Sequence, residues 1–456
     1  MEASASFAKS AAAYGVSLPA YPRFNTLDLV IKILVPLGVL ASVWVALELG
    51  SLQGYVALFN LKTYQKPLMA IGAAYSLFFI IFHGVRTFLW WRYRPFSLPE
   101  GPLPKVTVII PAYNEGAMVE KSLYSVAASD YPAGRLEIIC IDDGSKDDTW
   151  DYIQRAHSRY PDLIQTIRFP ANRGKREALY AGLNRGQGDI FVTVDSDSVI
   201  EPRTLKQIVA PMMQNPKVGA VAGNVKIYNR GANLITRMLW VRFVLSFDFL
   251  RASQSVYGFV FCTPGALTAY RATAIRPILE QWRHQTFLGR RCTIGEDRAF
   301  TNFVLKQGFE TVYQRTAVVY TTVPEKFKPM CRMLLRWDRS NFREDYVQLT
   351  FMFKRYREKG RLLPILDFFV RELEFPLSCI FIPLLLVTIC LYPIVFVKLV
   401  TAMAIVSCIL TIYYFSAERD MDFVYGVLYT YFAFFLLKWI RPYAFFTMRN
   451  GGWLTR

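Results

Sequence analysis

The sequence predicts an α/β domain with a mostly parallel sheet, fused to an α-helical transmembrane region. In the middle of the chain, roughly residues 95–365, short apolar runs rich in β-branched residues alternate with helical stretches. That alternation is typical of parallel strands joined by crossover helices. Long uncharged runs lie at both ends, and apolar residues make up 53% of the 456 residues. One soluble domain flanked by membrane segments therefore fits better than several soluble domains.

The composition excludes several classes of function. A net charge of +18 suits nucleic acid, anionic lipid or an acidic substrate. Much of the Lys and Arg lies near the expected membrane segments, so the positive-inside rule and contact with membrane lipids explain the charge. No nucleic-acid-binding motif occurs, and no obligatory protein partner is indicated. Seven cysteines without a CxxC pair and only three histidines exclude a disulfide framework and a zinc site.

The N-terminal part is predicted to hold a tail and two membrane helices. Residues 1–26 form the tail, whose Ala- and Ser-rich start lacks the apolar core of a cleaved signal peptide. Residues 33–47 and 67–85 are uncharged, and a Trp-Trp pair follows the second run where an interfacial aromatic belt is expected. We therefore expect residues 27–94 to cross the membrane twice, with both ends in the cytoplasm.

Four apolar runs of the α/β domain predict strands, and each ends in polar residues. The carboxyl ends of parallel strands meet at one edge, where open α/β sheets bind ligands. We therefore expect the four polar ends to form one site. The runs are residues 105–111, 136–141, 166–169 and 189–194.

The residues at these strand ends suit a phosphorylated ligand and a cation. Tyr113 offers a ring for stacking, and Asp142 or Asp143 can accept a hydrogen bond from a base N–H. Lys175, at the start of a helix, suits a phosphate. Asp197, in the pair of acids after the fourth strand, can hold a cation that bridges phosphates. The alternative for each residue is a solvated turn or a helix cap, but four such ends in one sheet favour a site.

Two further segments each allow two interpretations. Residues 233–251 predict an amphipathic helix that lies in the membrane surface, or else a core helix of the α/β domain. An acid in the segment 295–298 suits the general base for a sugar hydroxyl. The alternative there is an ordinary helix N-terminus with acids in its first turn.

Residues 329–358 predict a long helix with a basic ridge. A ridge beside an exposed Trp suits a pyrophosphate and a stacked sugar, whereas the alternative is contact with lipid headgroups. The ridge comprises Arg332, Arg336, Arg339 and Arg343, and the Trp is Trp337.

The C-terminal region, residues 366–456, predicts three or four membrane helices and a basic tail. Three spans would leave the C-terminus outside, but the basic tail argues for the inside. A fourth span would take in part of residues 362–375 or 439–448. The uncharged runs are residues 375–397, 399–417 and 423–437.

Together the motifs resemble those of membrane-embedded processive family-2 glycosyltransferases. The resemblance is greatest to hyaluronan synthases, with chitin and chitooligosaccharide synthases next, and it runs from about residue 104 to residue 345. The pieces that carry it are PAYNE, IDDGSKDDT, NRGKREAL, TVDSDS, ASQS and QTFLGRRCTIGEDRAFTN. The C-terminal stretch TMRNGGWLTR is also similar to the family's tail.

This resemblance implies a GT-A-like domain, UDP-sugar donors, a growing polysaccharide acceptor and a role for each candidate residue. Arg336 and Trp337 would belong to the family's QxxRW element, which contacts pyrophosphate and the acceptor sugar. The implied nucleotide- and donor-binding residues are Tyr113, Glu115, Asp143, Lys175, Asp195 and Arg336. Asp197 would ligate Mg²⁺ or Mn²⁺, Asp297 beside Glu296 would be the catalytic base, and Gln254, Cys262 and Trp337 would contact the acceptor.

One residue departs from the family pattern. Met333 stands where the family has Gln, and a Met side chain cannot donate a hydrogen bond. The departure bears on polymer identity and processivity more than on glycosyl transfer.

We therefore expect a hexosyltransferase of the plasma or inner membrane. Its catalytic domain would lie in the cytoplasm, with inverting, processive transfer and secretion of a β-linked polysaccharide. The alternatives are a chitin, chitooligosaccharide, β-glucan or mannuronan-type synthase, or a non-processive enzyme acting on a lipid carrier. A non-enzymatic transporter is the third alternative, and the presence of all the acids argues against it.

Overall fold

An eight-stranded sheet forms the centre of the α/β domain. The computed structural model describes residues 26–48, 66–357 and 360–451. The predicted N-terminal tail, apart from Thr26, and residues 452–456 lie outside the described residues. The strands are β1 (Val106–Ala112), β2 (Leu136–Asp142), β3 (Ile164–Arg168), β4 (Ile190–Val194), β5 (Ser198–Ile200), β6 (Val218–Ile227), β7 (Leu267–Arg271), β8 (Thr286–Phe287), β9 (Arg290–Arg291) and β10 (Glu310–Thr321).

The sheet order is β3-β2-β1-β4-β7-β6-β10-β5, while β8 and β9 form a separate hairpin. Strands β3, β2, β1 and β4 run parallel, which confirms the predicted mostly parallel sheet. The sequence did not predict β7, which pairs antiparallel with β4 and β6. The chain thus forms a mixed sheet in which the four predicted strands share one carboxyl edge.

Helices cover both faces of the sheet and form the membrane region. They are α1 (Thr26–Glu48), α2 (Lys66–Arg92), α3 (Met118–Ala127), α4 (Thr149–Arg159), α5 (Lys175–Arg185), α6 (Thr204–Gln214), α7 (Leu234–Phe243), α8 (Arg251–Val256), α9 (Ala272–Ile275), α10 (Leu279–Arg283), α11 (Glu296–Lys306), α12 (Phe327–Met352), α13 (Leu362–Leu391), α14 (Ile394–Glu418), α15 (Phe423–Phe432) and α16 (Ile440–Phe446).

Strand β1 shows how the pattern of apolar residues builds two cores. Its side chains alternate across the sheet, as those of any strand do. Val108 and Ile110 join one cluster, which also contains Leu123 of α3. Ile109, between them, joins the opposite cluster with Leu179 of α5. Because both faces are covered, β1 is apolar throughout, as is usual for a buried parallel strand.

The predicted amphipathic helix 233–251 differs in the structure. Asn233 caps α7, which continues through a π-helical segment, Val244–Leu250, into α8. Arg237, Asp248 and Arg251 are buried, so they do not form an exposed polar face. Each is hydrogen-bonded instead, as buried charges must be. The segment therefore packs as a buried helix between the α/β domain and the candidate membrane helices α1, α14 and α15.

Three helices in the described ranges are long and apolar enough to cross a membrane: α1, α13 and α14. A fourth candidate is the pair Phe423–Leu437 and Ile440–Phe446, bent by 45°. Residues 362–391 form the single helix α13, so the predicted run 375–397 is divided between α13 and the start of α14 at Ile394. The second predicted span, 67–85, falls within helix α2, and some of its side chains lie outside the described residues.

A buried polar network connects the α/β domain to the membrane helices. Arg230, which follows β6, contacts Asp422 at 2.5 Å and Asp420 at 2.6 Å in the loop before α15. Lys32 of α1 contacts Asp422 at 2.8 Å. Trp240 of α7 donates from Nε1 to the hydroxyl of Tyr414 at 2.7 Å. The α/β domain is thus held to α1 and to the α14–α15 loop by directional contacts rather than by apolar packing alone.

Substituting Asp422→Ala should destabilise the protein. The change leaves the buried cation of Arg230 and the half-buried cation of Lys32 without a shared partner, which costs about 3 kcal/mol. Denaturant unfolding in detergent micelles measures the loss. The matched control is Asp130→Ala, which removes the exposed pair with Lys206 at 2.7 Å and should cost less than about 1 kcal/mol. Equal losses for the two variants would contradict the structural role of Asp422.

Candidate active site

The loops after β1 and β2 are connected to each other at the carboxyl edge. The hydroxyl of Thr149 accepts hydrogen bonds from the backbone N–H groups of Glu115 at 2.8 Å and Gly116 at 2.9 Å. Tyr113 and Glu115, both expected at the nucleotide, are half-buried in this loop. The structure therefore places them together at the edge where the sequence predicts the ligand.

Asp143 fixes the loop that leads into α5. Its carboxylate accepts hydrogen bonds from the side-chain amide of Asn172 at 3.0 Å and from the backbone N–H groups of Arg173 at 2.7 Å and Gly174 at 2.9 Å. Burial raises the pKa of Asp143, and the two backbone N–H groups oppose this rise. Asp143 is expected to contact the base of the nucleotide. In the structure it also positions the start of α5, where Lys175 lies.

Lys175 brings the ends of two distant segments together. Its ammonium lies 2.5 Å from Asp195 Oδ1 and 3.1 Å from Glu296 Oε1. Burial lowers the pKa of Lys175, but the charges of Asp195, Glu296 and Asp297 outweigh burial and raise it. The lysine is therefore charged at neutral pH. A charged lysine at this edge suits a diphosphate, as the sequence predicts.

Asp197 lies one residue beyond Asp195 and is surrounded by hydroxyl groups. It accepts hydrogen bonds from Ser198 and Thr321, both at 3.2 Å, and from Thr322 at 3.3 Å. Burial and the charge of Asp195 raise the pKa of Asp197 to about 6. A desolvated carboxylate of this kind gains from a nearby cation.

The donor set at Asp195 and Asp197 fits a divalent cation that is shared with a ligand. Carboxylate oxygens are the ligands that Mg²⁺ prefers, and it commonly uses one or two of them together with substrate phosphates. Within the described ranges, no group of three or more His, Cys, Asp or Glu residues could hold a metal ion. The carboxylates of Asp195 and Asp197 suit an ion that takes further ligands from phosphates and water.

Asp297 lies in the first turn of α11 and faces the segment before β7. Its carboxylate accepts hydrogen bonds from the backbone N–H of Arg298 at 2.8 Å and of Gly265 at 3.2 Å. Burial, followed by the negative charge of Glu296, raises the pKa of Asp297. For Glu296 the effect of burial is outweighed, chiefly by Lys175, and the pKa is lowered. The two acids therefore differ in the direction of their pKa shifts. Glu296 is held in an ion pair, and Asp297 is the better proton acceptor.

Gly295 allows α11 to begin against α12. Its φ of +71° lies in the left-handed region, and a Cβ there would come 1.7 Å from Ser340 Oγ and 2.7 Å from Ser340 Cβ. Only glycine fits this conformation and this space without strain. The helix that carries Glu296 and Asp297 is thereby packed directly on α12, which carries Arg336 and Trp337.

The residues expected at the acceptor separate into two groups. Cys262 is near the candidate base, with its sulfur 3.9 Å from Asp297 Oδ2. Gln254 is buried and donates to Asp367 of α13 at 3.1 Å. Its side-chain oxygen accepts from the backbone N–H of Phe261 at 3.4 Å. Gln254 thus supports the segment that carries Cys262 and connects it to the membrane region.

Helix α12 places Arg336 near the acids of α11 and Trp337 in an aromatic contact with α7. Arg336 lies close enough to Glu296 to lower its pKa. Trp337 packs against Phe243, with ring centroids 6.1 Å apart. Met333 is buried in the apolar core, so it contributes packing there. The Met in place of Gln is thus compatible with the helix as it stands.

The predicted helix 329–358 and its basic ridge need correction. Helix α12 ends at Met352, and two of the four ridge arginines turn inward. Arg339 is buried and donates to Thr447 at 3.0 Å. Arg343 is buried and donates to the carbonyl of Ile294, next to Gly295. The periodicity placed the arginines on one side of the helix but did not show that the C-terminal tail and the α11 loop cover that side.

Three further residues shape the site, and sequence reasoning missed two of them, Thr321 and Thr322. Gly265 contacts Asp297, and a Cβ on Gly265 would come 3.0 Å from Lys175 Nζ. Thr321 and Thr322 bind Asp197 from the end of β10. The paired threonines after an apolar run were a detectable signal, since they too follow a strand. Their proximity to Asp197 depends on the pairing of β10 with β5.

Comparisons with known proteins agree with this arrangement. A family described as "Glycosyltransferase like family 2" matches residues 104–340. The N-acetylglucosaminyltransferase of Rhizobium meliloti (strain 1021) is 32% identical over 399 residues, which cover 84% of this chain and 91% of that protein. The hyaluronan synthase of Streptococcus pyogenes is 35% identical over 280 residues, which cover 60% of this chain and 66% of that protein.

One solved structure shares the fold. A mannosyltransferase from Pyrobaculum calidifontis, in complex with GDP-Man and Mn²⁺, has a TM-score of 0.50 and is 22% identical. The similarity covers 84% of this chain and 94% of that one. The family match at residues 104–340 contains all of the candidate site residues.

Substituting Gly295→Ala should disrupt the candidate site. The added Cβ collides with Ser340, and the φ of +71° is unfavourable for alanine, by about 1 kcal/mol from the backbone alone. We expect a lower thermal midpoint and reduced sugar transfer. Adding Ser340→Gly removes the collision and should restore part of both. The matched control is Gly134→Ala, because a Cβ on Gly134 meets no atom within 4 Å. A fully active Gly295→Ala variant would contradict the packing of α11 on α12.

Proposed function

Because the chain belongs to glycosyltransferase family 2, we propose that it transfers N-acetylglucosamine from a UDP-sugar to a growing β-linked glycan, with inversion at the anomeric carbon. The observation that carries this proposal is the meeting of Lys175, Asp195, Glu296 and Asp297 at one cleft. The ammonium of Lys175, which would bind the donor phosphates, thus lies near the candidate base Asp297.

The donor would bind along the carboxyl edge of the sheet. Tyr113, Glu115 and Asp143 receive the nucleotide, and Lys175 receives its phosphates. Arg336, on α12, adds a second positive charge beside Glu296. Glu296 keeps Lys175 charged and in place, which is a supporting role rather than proton transfer.

Asp297 would act as the general base. Its carboxylate takes the proton of the acceptor hydroxyl as the hydroxyl oxygen forms a bond to the anomeric carbon. The bond from that carbon to the donor phosphate breaks at the same time, and UDP leaves with the electron pair. Attack opposite to the leaving group inverts the anomeric centre. Cys262, beside Asp297, Gln254 and Trp337 would line the acceptor side.

A divalent cation, Mg²⁺ or Mn²⁺, fits at Asp197 with Asp195 adjacent. Such an ion supplies positive charge that stabilises the negative charge developing on the leaving diphosphate. This chain's own residues hold the site: the hydroxyl groups of Ser198, Thr321 and Thr322 orient the Asp197 carboxylate.

The comparisons support N-acetylglucosamine as the sugar. Similarity to the N-acetylglucosaminyltransferase extends over 84% of this chain, against 60% for the hyaluronan synthase. The product would then be a chitooligosaccharide-like chain. Hyaluronan is the second candidate, because the shorter match has the higher identity, 35% against 32%. Hyaluronan would require a second donor, UDP-glucuronic acid.

The location and the processive action are part of the same proposal. The α/β domain would face the cytoplasm of the plasma or inner membrane, as Arg92 and Arg94 at the end of α2 support. Membrane lipids would surround α1, α13 and α14, whose large apolar side chains are exposed. The growing product would leave the site between these helices and cross the membrane there. Sizing of labelled product tests it, since a lipid-extractable monosaccharide would indicate the non-processive alternative.

A UDP-release assay with purified protein in detergent, in which GDP release is measured for the GDP-sugar, tests the proposed function. The panel comprises UDP-GlcNAc, UDP-GlcA, UDP-Glc and a GDP-sugar, each with Mg²⁺ or Mn²⁺ and with a chelator. We expect release from UDP-GlcNAc alone, and loss with the chelator. Asp297→Asn should lower kcat by about 100-fold or more without a comparable change in donor KM.

The matched control for Asp297→Asn is Asp151→Asn. Asp151 is also in the first turn of a helix, but it is exposed, so its loss should leave UDP release unchanged. An Asp297→Asn variant with full activity would exclude Asp297 as the base. Release that requires both UDP-GlcNAc and UDP-GlcA would favour hyaluronan over the chitooligosaccharide.

The pH dependence of transfer should reflect the raised pKa of Asp297. The base works only when deprotonated, so kcat at saturating donor falls as the pH drops through that pKa. Because the pKa is raised, the fall occurs at a higher pH than the value of about 3.9 for an ordinary Asp. Measuring kcat from neutral to acid pH checks this. A constant kcat down to the ordinary Asp range would contradict the assignment.

A further inference from the structure

Asp345 of α12 lies where the candidate base helix meets the membrane region. Its buried Oδ1 accepts a hydrogen bond from Arg371 Nη2 at 2.6 Å and a second, shorter contact from Arg298 Nη2. Arg298 follows Asp297 in α11, whereas Arg371 belongs to α13, a candidate membrane span. One carboxylate oxygen thus joins three helices.

Arg298 carries this junction to Asp297. Its guanidinium is buried and also donates to Asn341 Oδ1 at 2.6 Å. Its backbone N–H donates to Asp297 Oδ1 at 2.8 Å. The guanidinium of Arg298 is thus held by Asp345, and its backbone N–H is bound to Asp297. A shift of Asp345 would therefore move the first turn of α11 and reorient the Asp297 carboxylate.

Arg371 carries the same junction to the acceptor side. Its guanidinium carbon lies 4.5 Å from the ring centroid of Phe261, the residue before Cys262. One turn earlier on α13, Asp367 accepts hydrogen bonds from Gln254 at 3.1 Å and from Tyr257 at 2.6 Å. The start of α13 therefore contacts both the segment expected at the acceptor and, through Asp345, the base.

We propose that Asp345 and Arg371 are positioning residues for glycosyl transfer. The shared carboxylate sets Asp297 against the acceptor hydroxyl, and it makes that alignment depend on where α13 lies. The proposal rests on the proposed function, because it needs Asp297 as the base. It goes further in naming two residues outside the cleft, one of them on a membrane helix, that act on the chemical step.

The ion pairs around Asp345 make Arg371 the best residue at which to test the proposal. Arg371 also contacts Glu372 Oε1 at 2.8 Å, and Glu372 has a second partner in Arg441 at 3.5 Å. Without Arg371, the pair of Arg298 and Asp345 persists inside the α/β domain. The domain should therefore stay folded and keep its hydrogen bonds to Asp367 of α13, while the contact between Asp345 and α13 is lost. The donor-binding residues at the strand ends are not in this junction.

The test compares Arg371→Gln with wild-type protein in detergent, using UDP-GlcNAc and the UDP-release assay. We expect kcat to fall by about 10- to 100-fold, because a small misplacement of a catalytic group has that effect. Donor KM should stay within about twofold, since the donor-binding residues are untouched. The matched control is Lys438→Gln, which removes the exposed pair with Glu374 at 3.2 Å and should leave kcat unchanged.

Two more variants make the outcome decisive. Arg371→Lys keeps the charge but cannot hold both carboxylates in a fork, so its kcat should lie between those of wild type and Arg371→Gln. If Arg371→Gln does not fold, Arg371→Lys decides, because a wild-type kcat in a folded variant overturns the proposal. A donor KM that rises in proportion to the loss of kcat would also overturn it. Failure of the proposed function is separate, because it appears as an active Asp297→Asn variant.

Discussion

The site depends on one ammonium group that compensates one buried and two half-buried carboxylates. The Lys175 ammonium is 2.5 Å from Asp195 and 3.1 Å from Glu296, and its charge also acts on Asp297. Without it, carboxylates from β4 and α11 would repel one another in a desolvated cleft, which is costly. The loop that leads to Lys175 is in turn fixed by Asp143. The electrostatic balance of the cleft is therefore set by how α5 begins.

The same balance separates two adjacent acids. Glu296 is held as an ion by Lys175, and its pKa is lowered. Asp297 points instead to the backbone N–H of Gly265 and has a raised pKa. A group that is to accept a proton benefits from a pKa nearer to the working pH. Two adjacent acids on one helix thus differ in pKa because different groups face them.

Polar contacts also connect the chemistry to the membrane helices. Apolar surface alone would let α1 and α13 slide against the α/β domain, since lipid is as apolar as a neighbouring helix. Ion pairs and hydrogen bonds have a preferred geometry, and here they join Arg230 to Asp422 and Asp345 to Arg371. The position of the cleft relative to the candidate membrane helices is therefore set by directional interactions.

The sequence by itself determined the four central strands, their shared carboxyl edge and the residues at their ends, because a period of two and a polar terminus are local signals. It also identified the family, and with it the acid pair at Glu296 and Asp297. Only the tertiary structure decided that the ridge arginines Arg339 and Arg343 turn inward, and that Asp345 joins α11 to α13. Those facts depend on which segments cover a helix face. Such packing arises from contacts between residues far apart in the chain, and no local pattern encodes them.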